Sequence, residues 1–174
     1  QISPEEAVRN AGRLISEGGA QGVKIEGPVV YFGDVIRSLT KASIPVMGHI
    51  GLTPQSINQM GGYKIQGRGE NAARRLRMEA LELQSVGCFA IVLACVPAEV
   101  AKEITLSLSV PTIGIGAGPD CDGQVLVSHD ILGWGQAKFT KTYVDLRSAM
   151  STAFAVYVDE VKNGVFPSEE HCYE

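Results

Sequence analysis

The chain of 174 residues is 45% hydrophobic and 20% charged, a composition typical of a soluble globular protein with a core of its own. Its formal net charge of −4 argues against nucleic acid or an anionic membrane as a partner, because both bind basic protein surfaces. No apolar run approaches the roughly 18 residues of a transmembrane helix. The N-terminus, which begins with Gln1 rather than Met, shows no charged-then-apolar leader.

Helices and short apolar strands alternate along the chain. Ser3, Pro4 and Glu6 open the first helix, because serine caps a helix, proline suits its first turn and glutamate three residues later completes a capping box. Gly18-Gly19 ends this helix. Further helices are predicted over 32–41, 71–84, 97–108 and 146–163, and strands over 22–26, 45–50, 89–94, 111–115 and 124–127. A long glycine-rich loop is predicted over 51–69, and turns over 116–123.

The predicted strands are almost entirely apolar, which favours a parallel sheet covered by helices, the α/β class. We count about five strand–helix units in one domain, residues 1–174, followed by C-terminal helices. Five parallel strands fit either an open doubly wound sheet or five-eighths of a barrel, and periodicity does not separate the two. A dinucleotide-binding sheet is disfavoured, because no strand is followed by G-x-G-x-x-G at the start of a helix.

Four cysteines, Cys88, Cys95, Cys121 and Cys172, lack the C-x-x-C spacing of a zinc site and the density of a disulfide framework. We expect free thiols in a reducing compartment, hence a cytoplasmic protein, or one of an organelle matrix if the source is eukaryotic.

Candidate site residues come from the ends of the first two strands. Lys24 and Glu26 are two residues apart, so their side chains point to the same face of the sheet, at the strand end where sites form in parallel sheets. Glu26 is a hard oxygen ligand suited to Mg²⁺, and Lys24 could hold an anionic substrate; the alternative is a structural ion pair. His49 ends the next strand and is expected to face the same interior, although a lone histidine is more often structural.

Two further segments are weaker candidates. Gly114-Ile-Gly-Ala-Gly118 would let a ligand or a neighbouring backbone approach closely, or would simply form a tight turn. Asp120, Asp122, His129 and Asp130 resemble a metal cluster, but their setting is more typical of turn residues.

Several segments together resemble one family, ketopantoate hydroxymethyltransferase, in order and spacing. They are Val23-Lys-Ile-Glu-Gly27, Gly48-His-Ile-Gly-Leu-Thr-Pro-Gln55, Gly61-Gly-Tyr-Lys-Ile-Gln-Gly67, Val110-Pro-Thr-Ile-Gly-Ile-Gly-Ala-Gly118, Gly123-Gln-Val-Leu-Val127 and Phe166-Pro-Ser-Glu-Glu-His171. The resemblance covers essentially the whole chain. It implies a (β/α)₈ TIM barrel, of which this chain would supply the fourth to eighth strands, assembled as a homo-oligomer, a decamer in the family.

The resemblance also implies a reaction. The family transfers a hydroxymethyl group from 5,10-methylenetetrahydrofolate to the 2-oxo acid 3-methyl-2-oxobutanoate, giving 2-dehydropantoate in pantothenate biosynthesis. Mg²⁺ chelated by the 2-oxo acid acts as the Lewis acid that allows C3 to lose a proton. By position, Glu26 matches a carboxylate at the metal, Lys24 matches the lysine that pairs with the substrate carboxylate, and His49 matches a histidine near the new hydroxyl.

Two departures from the family pattern bear on activity. The family's candidate general base is a glutamate followed by cysteine at the end of its sixth strand, and Ala94-Cys95 stands at that place here. A methyl group cannot accept a proton, and loss of general-base catalysis typically costs roughly 10²–10⁴-fold in rate. The family's N-terminal strands, with two metal-binding aspartates and a substrate-binding serine, are not matched by anything in this chain; we expect them upstream of Gln1.

Three functional hypotheses follow. The chain is part of an active hydroxymethyltransferase, or it is a catalytically impaired fragment or pseudoenzyme that keeps the fold and the oligomer contacts. The third alternative is another Mg²⁺-dependent barrel that forms enolates of 2-oxo acids, of the phosphoenolpyruvate mutase and isocitrate lyase type. That alternative accounts for Lys24 and Glu26 but not for the match across the long loop.

Overall fold

A computed structural model describes residues 3–135 and 137–173. The chain forms two compact units, one ending at Val125 and the other beginning at Leu126. The first unit contains the whole sheet, and the second contains helices. The division into compact units does not test the expectation of one domain over 1–174, which stays a prediction.

The helices of the first unit are α1 Pro4–Ser16, α2 Val29–Lys41, α3 Ile57–Met60, α4 Glu70–Ser85 and α5 Ala98–Ser107. The predicted start of α1 is confirmed: the Ser3 hydroxyl accepts a hydrogen bond from the Glu6 N–H at 3.2 Å, and Pro4 lies in the first turn. A single turn of 3₁₀ helix, Pro54–Ser56, precedes α3.

Five strands form one parallel sheet. They are β1 Val23–Glu26, β2 Val46–Gly51, β3 Ala90–Ala94, β4 Thr112–Ile115 and β5 Gly123–Gln124, and they lie side by side in chain order. The predicted α/β class and its five parallel strands are confirmed.

Among the described residues of the first unit, the helices pack against one face of the sheet and not against the other. The outward residues of the strands, among them Ile25, Ile50 and Leu93, share a buried core with apolar side chains of α1, α2, α4 and α5. Their neighbours in the strands, such as Val92 and Ala94, lie outside that core on the opposite face. A doubly wound sheet reverses its strand order and has helices on both faces, whereas strands in chain order with helices on one face are arranged as in a barrel wall. The sheet is open, so it is an incomplete barrel.

Three predicted elements differ from the structure. The last strand, predicted over 124–127, is only Gly123–Gln124; its final contact is the Val125 N–H to the Gly114 carbonyl, and the chain then turns into the next helix. The connection from β4 to β5 has no helix in the described structure, so the fourth strand–helix unit lacks its helix. The loop over 51–69 contains the 3₁₀ turn and α3.

The second unit consists of α6 Ser128–Ile131 and α7 Leu146–Lys162, followed by the 3₁₀ turn Glu169–His171. Asp145 caps α7 by accepting a hydrogen bond from the Ser148 N–H at 3.0 Å. The Phe166 ring packs edge-on against the rings of Tyr157 and His171. Across both units, no described helix combines the length and the apolar character needed to span a membrane.

Candidate active site

Three polar side chains meet on the uncovered face of the sheet. Lys24 Nζ lies 3.1 Å from Glu26 Oε1 and 3.3 Å from His49 Nδ1. His49 Nδ1 is also 3.3 Å from Glu26 Oε1. Lys24 is the most exposed of the three, with 44% of its side chain exposed. The exposed fraction of the side chain is 18% for Glu26 and 7% for His49, which is buried. We call these three residues the polar triad.

Strand periodicity and register bring the polar triad together. Alternate residues of a strand point to the same face, which places Lys24 and Glu26 on one side of β1. Glu26 pairs with His49 in the parallel register between β1 and β2, and His49 in turn pairs with Val92 of β3. The predicted common face of Lys24, Glu26 and His49 is therefore confirmed, while their roles remain predictions.

The charge of each triad member follows from its surroundings. Burial alone would raise the pKa of Glu26, but the hydrogen bonds from Lys24 and from the Gln55 N–H, together with the charges of His49 and Lys24, outweigh it and lower the pKa. The pKa of His49 is lowered by burial and by the Lys24 charge, which exceed the opposing effect of Glu26. At neutral pH the triad thus combines a carboxylate, an ammonium and a neutral imidazole.

His49 Nε2 is buried and has no hydrogen-bond partner among the described residues. His49 Nδ1 lies 3.3 Å from Lys24 Nζ, which can only donate, and 3.3 Å from Glu26 Oε1, which as a carboxylate oxygen can only accept. A buried polar nitrogen without a partner costs free energy unless a ligand or water forms a hydrogen bond with it. Nε2 therefore marks a place where a polar atom of a bound molecule can form a hydrogen bond with His49.

Ala94 lies on the same face as the polar triad, closer to the C-terminal ends of the strands. It is two residues beyond Val92, and its register partners are Gly51 of β2 and Ile115 of β4. Its side chain is 6% exposed and offers no proton acceptor. Cys95, which follows, has a left-handed φ of 50°, an uncommon conformation for a residue with a side chain. Burial raises the pKa of the Cys95 thiol.

The loop after β2 contributes a contact that the sequence reasoning missed. The Gln55 N–H donates to Glu26 Oε2 at 3.3 Å, so the loop and the carboxylate are tied together. Because the contact is made by a backbone group, the side chain of Gln55 does not indicate it in the sequence. Pro54 and Gly61 do indicate the helical turns of this loop: proline suits a first helical turn, and Gly61 has the left-handed φ of 69° that ends α3.

Two of the weaker candidates have other partners. Asp122 is a structural residue: its Oδ2 accepts from the Thr112 N–H at 2.8 Å and from the Thr112 hydroxyl at 3.2 Å. Asp120 makes a long ion pair with Lys102, at 3.9 Å. In the described parts of the chain, no three His, Cys, Asp or Glu residues are grouped so that they could hold a metal ion.

Comparison with known proteins identifies the family. A sequence model described as "Ketopantoate hydroxymethyltransferase" matches residues 1–169. The "3-methyl-2-oxobutanoate hydroxymethyltransferase" of Pelobacter propionicus is 57% identical over 176 positions, covering 99% of this chain and 65% of that protein. Proteins of the same name from Geobacter sulfurreducens and Moorella thermoacetica are 53% and 52% identical, covering 99% and 100% of this chain and 66% and 65% of theirs.

The chain thus spans slightly less than two thirds of the length of these relatives. Among solved structures, N-acetylneuraminate lyase from Mycoplasma synoviae matches 82% of this chain and 48% of that chain with a TM-score of 0.47 and 12% identity, a likeness too weak to bear on the fold. The family match extends from the first residue to residue 169. The chain therefore belongs to the ketopantoate hydroxymethyltransferase family.

Proposed function

We propose that the protein transfers a hydroxymethyl group from 5,10-methylenetetrahydrofolate to 3-methyl-2-oxobutanoate, giving 2-dehydropantoate for pantothenate biosynthesis. The observation that best supports this is the polar triad, in which an ammonium, a carboxylate and an unpartnered imidazole nitrogen converge on one uncovered sheet face. A 2-oxo acid presents a carboxylate and a neighbouring keto oxygen, which match a cation and a hydrogen-bond donor.

Each member of the triad has a role in the proposal. Lys24, the most exposed of the three, pairs with the substrate carboxylate. His49 is neutral in the proposal, with its ring proton on Nε2, and this N–H donates a hydrogen bond to a substrate oxygen. Glu26 balances the charge of Lys24 and, through the Gln55 N–H, connects the site to the loop after β2.

Glu26 fits a Mg²⁺ ligand by its chemistry, since it is a hard oxygen donor at the end of a parallel strand. A single protein carboxylate is sufficient only where substrate oxygens and water complete the coordination, as is common for Mg²⁺. Glu26 would hold the ion directly or through water, with the 2-oxo acid chelated beside it. The ion, when bound, supplies Lewis-acid polarisation of the keto oxygen, which makes the C3–H more acidic.

Ala94 supports a second candidate, a catalytically impaired member of the family. Ala94 lies on this face of the sheet, at the C-terminal end of β3 and beside the ends of β2 and β4. The family resemblance implies a glutamate at this position, whereas Ala94 has only a methyl group. Without a proton acceptor there, removal of the C3 proton falls to water, and the expected loss is roughly 10²–10⁴-fold. The fold and the substrate contacts of Lys24 and His49 would persist.

Proton NMR of 3-methyl-2-oxobutanoate in D₂O with Mg²⁺ tests both candidates, because it follows C3–H exchange and needs no folate. The chain is compared with its Ala94→Glu variant and with a Lys24→Met variant as the control for substrate binding. Exchange by the unaltered chain that disappears in Lys24→Met supports the active enzyme. Exchange that appears only in Ala94→Glu supports the impaired form, and exchange in neither contradicts an enolisation site built on these residues.

The same experiment distinguishes the proposed reaction from that of the third hypothesis, another Mg²⁺-dependent barrel that forms enolates. A barrel of the phosphoenolpyruvate mutase and isocitrate lyase type would act on other 2-oxo acids, so pyruvate and oxaloacetate are offered in parallel. The cytoplasmic location, expected from the free cysteines, and the homo-oligomeric state, a decamer by family resemblance, are part of the proposal. Sedimentation of the purified protein tests the oligomer.

A further inference from the structure

A row of side chains crosses four neighbouring strands of the sheet at the level of His49. Glu26 of β1 pairs with His49 of β2, and His49 pairs with Val92 of β3. Val92 pairs in turn with Ile113 of β4. Paired residues of a parallel sheet point to the same face, so this row is polar on β1 and β2 and aliphatic on β3 and β4. We call Val92 and Ile113 the aliphatic pair.

The aliphatic pair lies apart from the core between the sheet and the helices. Ile91 and Leu93, on either side of Val92, belong to that core, whereas Val92 and Ile113 do not. The pair instead shares a face with His49, whose buried Nε2 has no partner among the described residues. A polar atom of a ligand that contacts Nε2 is therefore one strand away from the aliphatic pair.

Gly123 determines how the Ile113 side chain lies. It is the register partner of Ile113 on β5, and a Cβ at Gly123 would lie 2.8 Å from Ile113 Cδ1. Carbon atoms in contact are normally about 3.5–4.0 Å apart, so Ile113 occupies space that a larger residue at position 123 would fill. The end of the Ile113 side chain thus points towards β5 and away from Val92, which leaves room beside Val92.

The spacing of the strands sets which part of a ligand meets the aliphatic pair. Lys24 Nζ is 3.3 Å from His49 Nδ1, so a carboxylate bound by Lys24 lies near β1 and β2. Neighbouring strands are about 4.8 Å apart, which an extended carbon chain crosses in roughly four bonds. The aliphatic end of a short 2-oxo acid therefore reaches Val92, and only a longer chain reaches Ile113.

We propose that the aliphatic pair selects 2-oxo acids by the size of their aliphatic end. Val92 contacts the branched end of the acid, and Ile113 limits its length. Gly123 is a positioning residue: it acts through Ile113, which leans over it. The class of acid rests on the proposed function, in which Lys24 binds the carboxylate.

Ligand-observed NMR titration in buffer with Mg²⁺ tests the selection through three acids: pyruvate, 3-methyl-2-oxobutanoate and 3-methyl-2-oxopentanoate. The readout is the ratio of their affinities, since a general loss of structure weakens all three together. We expect the unaltered chain to bind 3-methyl-2-oxobutanoate roughly tenfold more tightly than pyruvate, because two further carbons are buried. Equal affinities, or no binding by the unaltered chain, would overturn the proposal.

Two variants change the aliphatic pair in opposite directions. Val92→Thr keeps the shape of the side chain but adds a hydroxyl, and should weaken 3-methyl-2-oxobutanoate roughly 3- to 10-fold while pyruvate, which is too short to reach it, is unaffected. Ile113→Ala makes room at the far end, and should strengthen 3-methyl-2-oxopentanoate roughly 3- to 10-fold. Misfolding cannot produce such a gain. Affinity ratios that stay constant in both variants contradict selection by this pair.

Gly123→Ala tests the positioning role. Its new methyl group displaces the end of Ile113 towards Val92, so both branched acids should bind roughly 3- to 10-fold more weakly and pyruvate should not. Gly12→Ala is the matched control, because a Cβ at Gly12 in α1 has open space around it. A ranking of the acids that is the same in Gly123→Ala and Gly12→Ala would refute this role.

The outcome is separable from that of the proposed function. Affinity ratios that change with Val92 and Ile113, in a chain that shows no C3–H exchange, retain the aliphatic pair and reject the enolisation chemistry. Exchange with ratios indifferent to these residues does the reverse.

Discussion

Asp122 lies in the connection between β4 and β5, and the structure gives its carboxylate a defined task. Its Oδ2 accepts from the Thr112 N–H at 2.8 Å and from the Thr112 hydroxyl at 3.2 Å, while the Asp122 N–H lies 3.4 Å from the same hydroxyl. Thr112 is fully buried. We predict that Asp122→Ala destabilises the protein, because it removes the acceptor of a buried backbone N–H.

The magnitude follows from counting the groups left without partners. The Thr112 hydroxyl keeps its contact with the Thr105 hydroxyl at 2.8 Å, so only the Thr112 N–H is orphaned. One unsatisfied buried amide costs about 1–3 kcal/mol. Because Asp122 itself is exposed, water can reach part of the gap, and we expect the lower half of that range.

Urea denaturation followed by circular dichroism measures the change in the free energy of unfolding. Asp120→Ala is the matched control: it removes a carboxylate two residues away whose ion pair with Lys102 is long, at 3.9 Å, and should change stability by less than about 0.5 kcal/mol. Asp122→Asn should recover part of the loss, since an amide oxygen still accepts. Equal losses in Asp122→Ala and Asp120→Ala would refute the assigned role.

Two further predictions concern the strands that form the site. Gly51→Ala should cost more than about 2 kcal/mol in the same urea assay, because Gly51 has a φ of +90° and a Cβ there would overlap the Ala94 carbonyl oxygen; a stable Gly51→Ala protein would show that this strand contact can yield. His49 has a lowered pKa, so the unfolded chain binds its proton more readily, and stability should fall as pH drops below about 6.5 towards the folded-state value. His49→Gln, measured in metal-free buffer, should lose less stability over that window, and an identical pH dependence would contradict the burial of a neutral imidazole.

Sequence periodicity was sufficient for the parts of the fold that depend on single strands and helices. The common face of Lys24 and Glu26 follows from the two-residue repeat of β1, and no long-range information is needed. That His49 joins them was expected from its place at the end of the next strand, and the register between β1 and β2 sets the distance. Periodicity could not predict whether the sheet is doubly wound or barrel-like, because strand order is a property of long-range pairing; the family resemblance predicted the barrel.

The elements that were misjudged are those where local preference and tertiary contact disagree. Helix α2 begins at Val29 rather than near residue 32. The sequence did not indicate this start, because the two residues after Pro28 are β-branched valines with low helix propensity. Val125 and Val127 look like strand residues in sequence, yet they are 44% and 51% exposed.

The hydrogen bond from the Gln55 N–H to Glu26 makes the acidity of one carboxylate depend on the position of a loop. If the loop moves away, Glu26 loses a donor that favours its charged form, and its proton affinity rises. By reciprocity, whatever neutralises Glu26 loosens the loop by the same free energy. The protonation state of Glu26 therefore reports the position of the loop.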